Sequence, residues 1–453
     1  MKSKIFIITA LFLLFYLTFF QSVFADGMIH IYDPDMYRWD LLNENQQLSV
    51  INYENGFQKM ILSVDVTELR GEKAVWLFPV PAKPDKTVID VIKGFPKFWG
   101  YDVKEKTDDT ISGTFSVIRL SQVYTFPFLF LFSSISSLSS SGARNLEEGI
   151  TIHEHIEKMG LTTELVSVKE SDALYNYLTN KGLDLPSGSK SILDEYIGKD
   201  YSFVVSWISD VAKFKQESSN QDIYGRTINT VGVSITFPTN KIYFPLKPTS
   251  VYGSSEIPIL IYVIGHVTPN LYQEIKQESQ INYFVQDYYT VSPEFSSFFN
   301  GKTRINELEY TKIKINAPSK YLREDLWIKN SAPINITLAD FINRNTLICG
   351  LIFFVLTSCL ASLFSGLVVF RKDKIISNQK LALFGLWNFL TLIGFAIASV
   401  FLRTKKLKPE LEQQLKSEGI IVWDGRKILF VFLFTIFFLI ITFVFQIVLQ
   451  YIF

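Results

Sequence analysis

The sequence predicts an α+β protein, a mainly-β exported domain followed by C-terminal α-helical transmembrane segments. Three observations predict it. Runs of alternating apolar and polar residues recur between residues 47 and 315, three long apolar stretches close the chain, and one apolar stretch behind two lysines opens it.

Residues 1–25 have the layout of a signal peptide. Lys2 and Lys4 give a basic start, Ile5 to Phe20 is almost wholly apolar, and Val23-Phe24-Ala25 sits where cleavage is expected. This core of about 16 residues is short of the roughly 20 that a span needs. An uncleaved N-terminal anchor is the competing reading.

The exported domain is expected over 26–340, with a subdivision near 145. Residues 47–53 and 57–66 flank Glu54-Asn55-Gly56, and Asn-Gly between alternating runs is a strong hairpin signal. Residues 74–80 form an apolar strand. Further strands are expected at 110–118, 149–157, 163–169, 201–212, 230–238, 241–246, 257–266, 281–291 and 305–315. Two helices interrupt them: 172–181, with Ser171 as cap and Gly182 as stop, and 190–197, with Ser189 as cap.

Three stretches of this domain resemble the uncharacterised DUF2330 family of exported proteins. They are the hairpin followed by Ala74-Val75-Trp76-Leu77-Phe78-Pro79-Val80-Pro81, the segment 150–208, and Phe237-Pro238 through Ile242-Tyr243-Phe244-Pro245-Leu246 with the apolar strand after it. The resemblance implies export and a β-rich fold, and it carries no activity. Many relatives have cysteines near the mature N-terminus, and this chain has none there.

The two cysteines of the whole chain, Cys349 and Cys359, lie in a C-terminal apolar stretch. Ten residues along a helix separate them by about 15 Å, too far for a disulfide. The exported domain must therefore hold together by burial and strand pairing.

Proline has no amide donor, so the segment 79–84 must leave the sheet or lie at an edge. It either ends a strand at a corner or, with Trp76, Phe78, Pro79 and Pro81, builds a binding ledge. Residues 123–132 (VYTFPFLFLF) are apolar on both strand faces and precede a serine-rich stretch. Leaving Phe126, Phe128, Phe130 and Phe132 in water would forgo roughly 1.5–3 kcal/mol each. Three readings compete: a buried central strand, a loop dipping into the bilayer, and a partner-binding tip.

No Gly-x-Ser-x-Gly, P-loop, dinucleotide or His-Glu-x-x-His pattern occurs. His153 and His155 share one face of an expected strand and could begin a metal site, which would need a third ligand. A solvent-facing strand is the commoner reason for such a pair. Ser187-x-x-Lys190 lacks the Lys-Thr-Gly that accompanies that motif in penicillin-interacting enzymes. Acidic residues at 33–40 fit calcium or a polar turn. No cofactor is expected.

Lys+Arg and Asp+Glu balance at 44 each, which gives no reason to expect nucleic acid. The apolar stretches 346–370, 381–402 and 428–452 point to the lipid bilayer. With the domain outside, loop 371–380 and its four basic residues fall inside, as the positive-inside rule prefers. Three full spans, the expected arrangement, then put 403–427 and its seven basic residues outside. A re-entrant 381–402 would leave both loops inside. Within the loop, 409–419 has a helix-forming composition. Asn388 reads as a helix–helix contact.

The expectation is a multi-pass cell-membrane protein whose exported domain acts by binding, as an accessory to a membrane-protein partner. A ligand-sensing receptor and, further off, a metal-dependent hydrolase at His153 and His155 are the alternatives.

Overall fold

The computed structural model describes residues 28–33, 38–41, 47–65, 74–122, 155–180, 187–221, 227–370, 376–402, 417 and 425–453. These fall into two compact units. One holds the described residues up to Asp102 and from His155 to Pro333; the other holds 103–122 and those from Ile334 onward. The signal segment, the aromatic run 123–132, His153 and the expected helix 409–419 (apart from residue 417) lie outside the described residues.

The β unit begins with β1 (Met28–Asp33), β2 (Arg38–Leu41), β3 (Gln47–Glu54), β4 (Phe57–Asp65), β5 (Ala74–Val80), β6 (Val88–Lys93) and β7 (Tyr101–Asp102). Helix α1 (Val103–Leu120) leaves it for the other unit. It resumes with β8 (His155–Lys158), β9 (Leu161–Ser167), α2 (Ser171–Asn180), α3 (Ser187–Leu193), β10 (Ser202–Ile208), α4 (Val211–Ser218), β11 (Ser219–Gln221) and β12 (Thr227–Pro238). The remainder is β13 (Ile242–Phe244), β14 (Ile259–Ile264), β15 (Thr268–Pro269), α5 (Gln273–Lys276), β16 (Ser279–Thr290), β17 (Arg304–Ile315) and β18 (Leu326–Lys329).

One sheet has the order β2-β1-β5-β10-β9-β8. A larger one runs β11-β12-β4-β3-β14-β17-β16-β7, with β6 also on β12, and a small third is β13-β18-β15. The β3–β4 hairpin turns on Asn55 and Gly56, both at positive φ (54° and 81°), as a two-residue loop requires. Phe78, Val80 and Val204 of the first sheet meet Ile51, Met60, Val233 and Ile261 of the second in the main core. The opposite side chains of the first sheet, Val75, Leu77, Phe203 and Val205, pack on Leu174, Leu178 and Leu193 of α2 and α3. Both faces of β5 are thus covered, which is why 74–80 reads as a continuous apolar run.

Two expected strands take other forms. Residues 110–118 lie within α1, whose Val103, Thr107, Ile111, Phe115 and Ile118 recur at helical spacing and are all buried. That four-residue periodicity outweighs the local β-like composition. The strand expected over 201–212 stops at Ile208, because the Asp210 carboxylate accepts the Lys213 amide at 3.0 Å and caps α4. Helix α3 lies three residues earlier than expected at its start, at Ser187.

The helical unit comprises α1, α6 (Ile334–Arg344), α7 (Thr346–Phe370), α8 (Asn378–Phe384), a 3-10 turn (Gly385–Leu390), α9 (Thr391–Val400) and α10 (Gly425–Ile452). Thr346–Phe370, Asn378–Val400 and Gly425–Ile452 are long and apolar enough to cross a membrane. The middle stretch, however, folds back on itself. The rings of Phe384 and Phe395 are 5.3 Å apart, whereas eleven residues of straight helix would separate them by about 16 Å. Both rings also meet Phe430. The reversal occurs at Thr391, which has φ 65°.

Candidate functional site

The residues singled out from the sequence have separate fates. Trp76 and Phe78 are 5% and 4% exposed and belong to the core, so with Pro79 and Pro81 they form no solvent-facing ledge. Side chains of an inner strand, covered on both faces, cannot also be a surface. Pro79 lies in β5 opposite Phe203, and among the described residues β1 pairs with β5 only over Ala74–Leu77, so no ladder bond to the Pro79 amide is missed there.

Of the histidine pair, His155 lies on β8 at the edge of the first sheet. Its Nδ1 meets Glu164 at 2.7 Å and its Nε2 meets Glu157 at 3.2 Å, while the Tyr177 hydroxyl donates to Glu164. These two carboxylates raise the imidazole pKa, Glu164 more than Glu157. The arrangement favours a proton on both ring nitrogens, whereas a metal ligand needs one bare. We expect the NMR titration midpoint of His155 to lie above about 6.5, its ordinary value, and to fall in Glu164→Gln. Because the folded pKa is raised, the stabilisation is complete below about pH 6.5 and is lost as pH rises through that midpoint. An unmoved midpoint in Glu164→Gln would contradict the assignment.

A densely connected polar site in the β unit centres on Asp325, just before β18. One carboxylate oxygen accepts from the Tyr196 hydroxyl at 3.0 Å and the Lys247 amide at 3.1 Å, the other from the Tyr243 hydroxyl at 3.0 Å. The Tyr243 hydroxyl also reaches the Pro79 carbonyl at 3.4 Å. Gln58, fully buried, holds the Tyr243 backbone through two 2.7 Å bonds. Tyr201 packs edge-on against both Tyr196 and Tyr243, and the Lys247 ammonium pairs with Glu195. Burial pushes the Asp325 pKa up and the three donors pull it partly back. Burial, then the nearby Asp325 charge, pushes all three tyrosines up. The cluster joins the proline corner of β5, the segment before β10 and the third sheet at one carboxylate. Nothing local to Asp325 in the sequence signals this, since every partner lies at least 78 residues away.

In the helical unit, the hairpin of α8, the 3-10 turn and α9 is wedged against α7 and α10. Gly385 lies so close to α7 that a Cβ there would stand 2.3 Å from the Ser358 carbonyl oxygen, so only glycine fits. Asn388, 1% exposed, donates to Ser358 Oγ at 3.0 Å, and Ser362 Oγ donates to the Leu381 carbonyl at 2.6 Å. Asn388 Oδ1 and Thr357 Oγ1 have no hydrogen-bond partner among the described residues. Phe395 stacks on Phe434 at 3.8 Å, and Lys427 Nζ donates to the Val400 carbonyl at 2.6 Å. Phe370 meets Phe430 at 5.3 Å, so the end of α7, the start of α10 and the far end of α9 share one end of the unit. Asn388→Leu is expected to cost about 0.6–1.7 kcal/mol, the range of interhelical bonds in lipid, as read from denaturant unfolding of the helices in detergent.

At the opposite end, α1 packs beside α7, with Phe115 and Phe353 rings 5.4 Å apart, and Arg119 donates to Gln446 Oε1 at 2.8 Å. The β unit also presents aromatics that the sequence reading did not single out. Trp99 is 70% exposed, and Tyr288, 64% exposed at φ 56°, lies under the Arg304 guanidinium. Compared with known proteins, the chain matches no family model, no curated protein and no solved structure.

Proposed function

We propose that this is a membrane-anchored binding protein of the cell envelope, accessory to a membrane assembly, with its β unit on the extracytoplasmic side. The observation that carries the reading is the folded-back hairpin. Anchoring needs spans, and α7 and α10, at about 37 and 42 Å, exceed the hydrocarbon thickness of about 30 Å. The hairpin crosses nothing. Asn388 at its tip faces Ser358, twelve residues or about 18 Å from the end of α7. Such an element serves contact inside the membrane.

In this topology the hairpin enters and leaves on the cytoplasmic side. The basic segments 371–380 and 403–427 then both lie inside, in agreement with the positive-inside rule. The aromatic run 123–132 follows α1, a helix of the membrane unit, and that placement favours the bilayer-dipping reading of Phe126, Phe128, Phe130 and Phe132. The resemblance to DUF2330 is consistent with export of the β unit and names no substrate.

Crosslinking in intact cells, followed by detergent purification of the full chain and mass spectrometry, tests the accessory role. A stoichiometric membrane partner, lost when 403–427 is altered, is expected. A chain that purifies alone or only with copies of itself would overturn it. A sensor reading has one observation in its favour. The chain passes between the units three times, after Asp102, between residues 122 and 155, and after Pro333, so a ligand-induced change in the β unit has three covalent routes to the helices.

A further inference from the structure

The two arms of the hairpin line a half-open apolar cleft of about 470 Å³, formed by Phe384, Trp387, Leu390, Ile397, Ala398 and Phe401. That volume lies within the range of small-ligand sites, about 300–1,000 Å³. Gly394 also lines the cleft, and a Cβ there would stand 2.2 Å from the Leu390 Cβ one helical turn before it. The lining is almost wholly apolar, which suits a hydrocarbon chain.

Cations stand at the feet of the arms. Lys380 is exposed and lies four residues before Phe384, on the same face of α8. Lys427 meets the Val400 carbonyl, next to Phe401. That bond takes one of the three ammonium protons and leaves two for a further acceptor. In sequence, the segments 371–380 and 403–427 that flank the hairpin carry four and seven basic residues.

We infer that the cleft holds one acyl chain of an anionic phospholipid, whose headgroup phosphate is met by Lys380 and Lys427. The inference rests on the membrane topology proposed above. It adds a lipid of defined charge as a bound component, where an annular lipid would be indifferent to headgroup. The acyl chain covers the inner faces of Trp387 and Ile397, and the phosphate answers the two lysines. The hairpin is thereby tied to the leaflet that its basic segments face.

The test uses the full-length protein in phosphatidylcholine vesicles doped with brominated phosphatidylglycerol or brominated phosphatidylcholine. The readout is Trp387 fluorescence, taken as the difference between the wild type and Trp387→Phe. Brominated phosphatidylglycerol should quench Trp387 at concentrations about thirtyfold lower than brominated phosphatidylcholine, since the two lysines near the surface contribute about 1 kcal/mol each. The double variant Lys380→Gln with Lys427→Gln should bring the two curves together. Native mass spectrometry should show a retained phosphatidylglycerol that Ala398→Phe, which fills the cleft, removes. Equal quenching by both lipids would mean annular lipid only and overturn the inference. So would no quenching in a protein that has entered the vesicles, the result expected if a protein segment or a second copy closes the cleft. Failure to enter the vesicles at all would overturn the membrane reading and this inference with it.

Discussion

A membrane-impermeant maleimide applied to intact cells is expected to label Tyr451→Cys and to leave Lys374→Cys and Lys408→Cys untouched, all in a background without Cys349 and Cys359. Permeabilised cells should label all three. The expectation follows from the ring contacts that bring α9 back to the end of the unit where α7 stops and α10 begins. In the proposed topology α10 leaves that end as the second span and delivers Tyr451, 91% exposed, to the opposite side. Three straight spans give the reverse pattern at two positions, with Lys408→Cys labelled and Tyr451→Cys protected. The effect is all-or-none. The energetic preference behind it is the number of lysines and arginines kept inside, eleven under the hairpin arrangement (four in 371–380 and seven in 403–427) against four under the other.

The second large effect is expected at Asp325. Asp325→Ala removes the acceptor of three donors, and two of these, the Tyr243 hydroxyl and the Lys247 amide, hold the third sheet and the turn after it in place. Donors left unsatisfied cost about 1–3 kcal/mol each when buried. Water can reach part of this half-buried site, so we expect a net loss of about 3 kcal/mol, measured by urea unfolding of the full chain in detergent with near-ultraviolet circular dichroism. The pH dependence has a definite sign. Burial raises the folded-state pKa above the unfolded value of about 3.9, so the folded state binds more protons over that window. Wild-type stability therefore falls, relative to Asp325→Asn, as pH rises from about 3.9 through the raised midpoint. A wild type that gains stability relative to Asp325→Asn over that window would show that the donors outweigh burial.

The Asp325 site shows why its components were only half visible in the sequence. The segments that meet there were recognisable as strands and corners: Ala74–Val80 with its prolines, the approach to β10, and Ile242–Phe244. Their periodicity and proline content are local properties. That they converge on one carboxylate depends on sheet order, and β13 pairs with β18 more than 80 residues away. The exchange of a strand for a helix at 110–118 has the opposite character. The helical spacing of Val103, Thr107, Ile111, Phe115 and Ile118 was present in the sequence, with Gly113 and the threonines and valine between them masking it.

Local sequence by itself determined the Asn-Gly hairpin, most of the strands between Gln47 and Ile315, and the three apolar stretches, because alternation, turn residues and apolar length need no partner to be read. Burial on both faces of β5, which closed the ledge at Trp76 and Phe78, required knowing what lies above and below that strand. The fate of 381–402 was decided by tertiary structure alone. Its composition suits a straight span, and the charge imbalance of the flanking loops only left the alternative open. Gly385 against the Ser358 carbonyl, Asn388 on Ser358, and Phe395 between Phe384 and Phe434 stabilise the turned-back form. Each is a contact between residues at least eleven apart, and hydropathy carries no record of which residues meet at that separation.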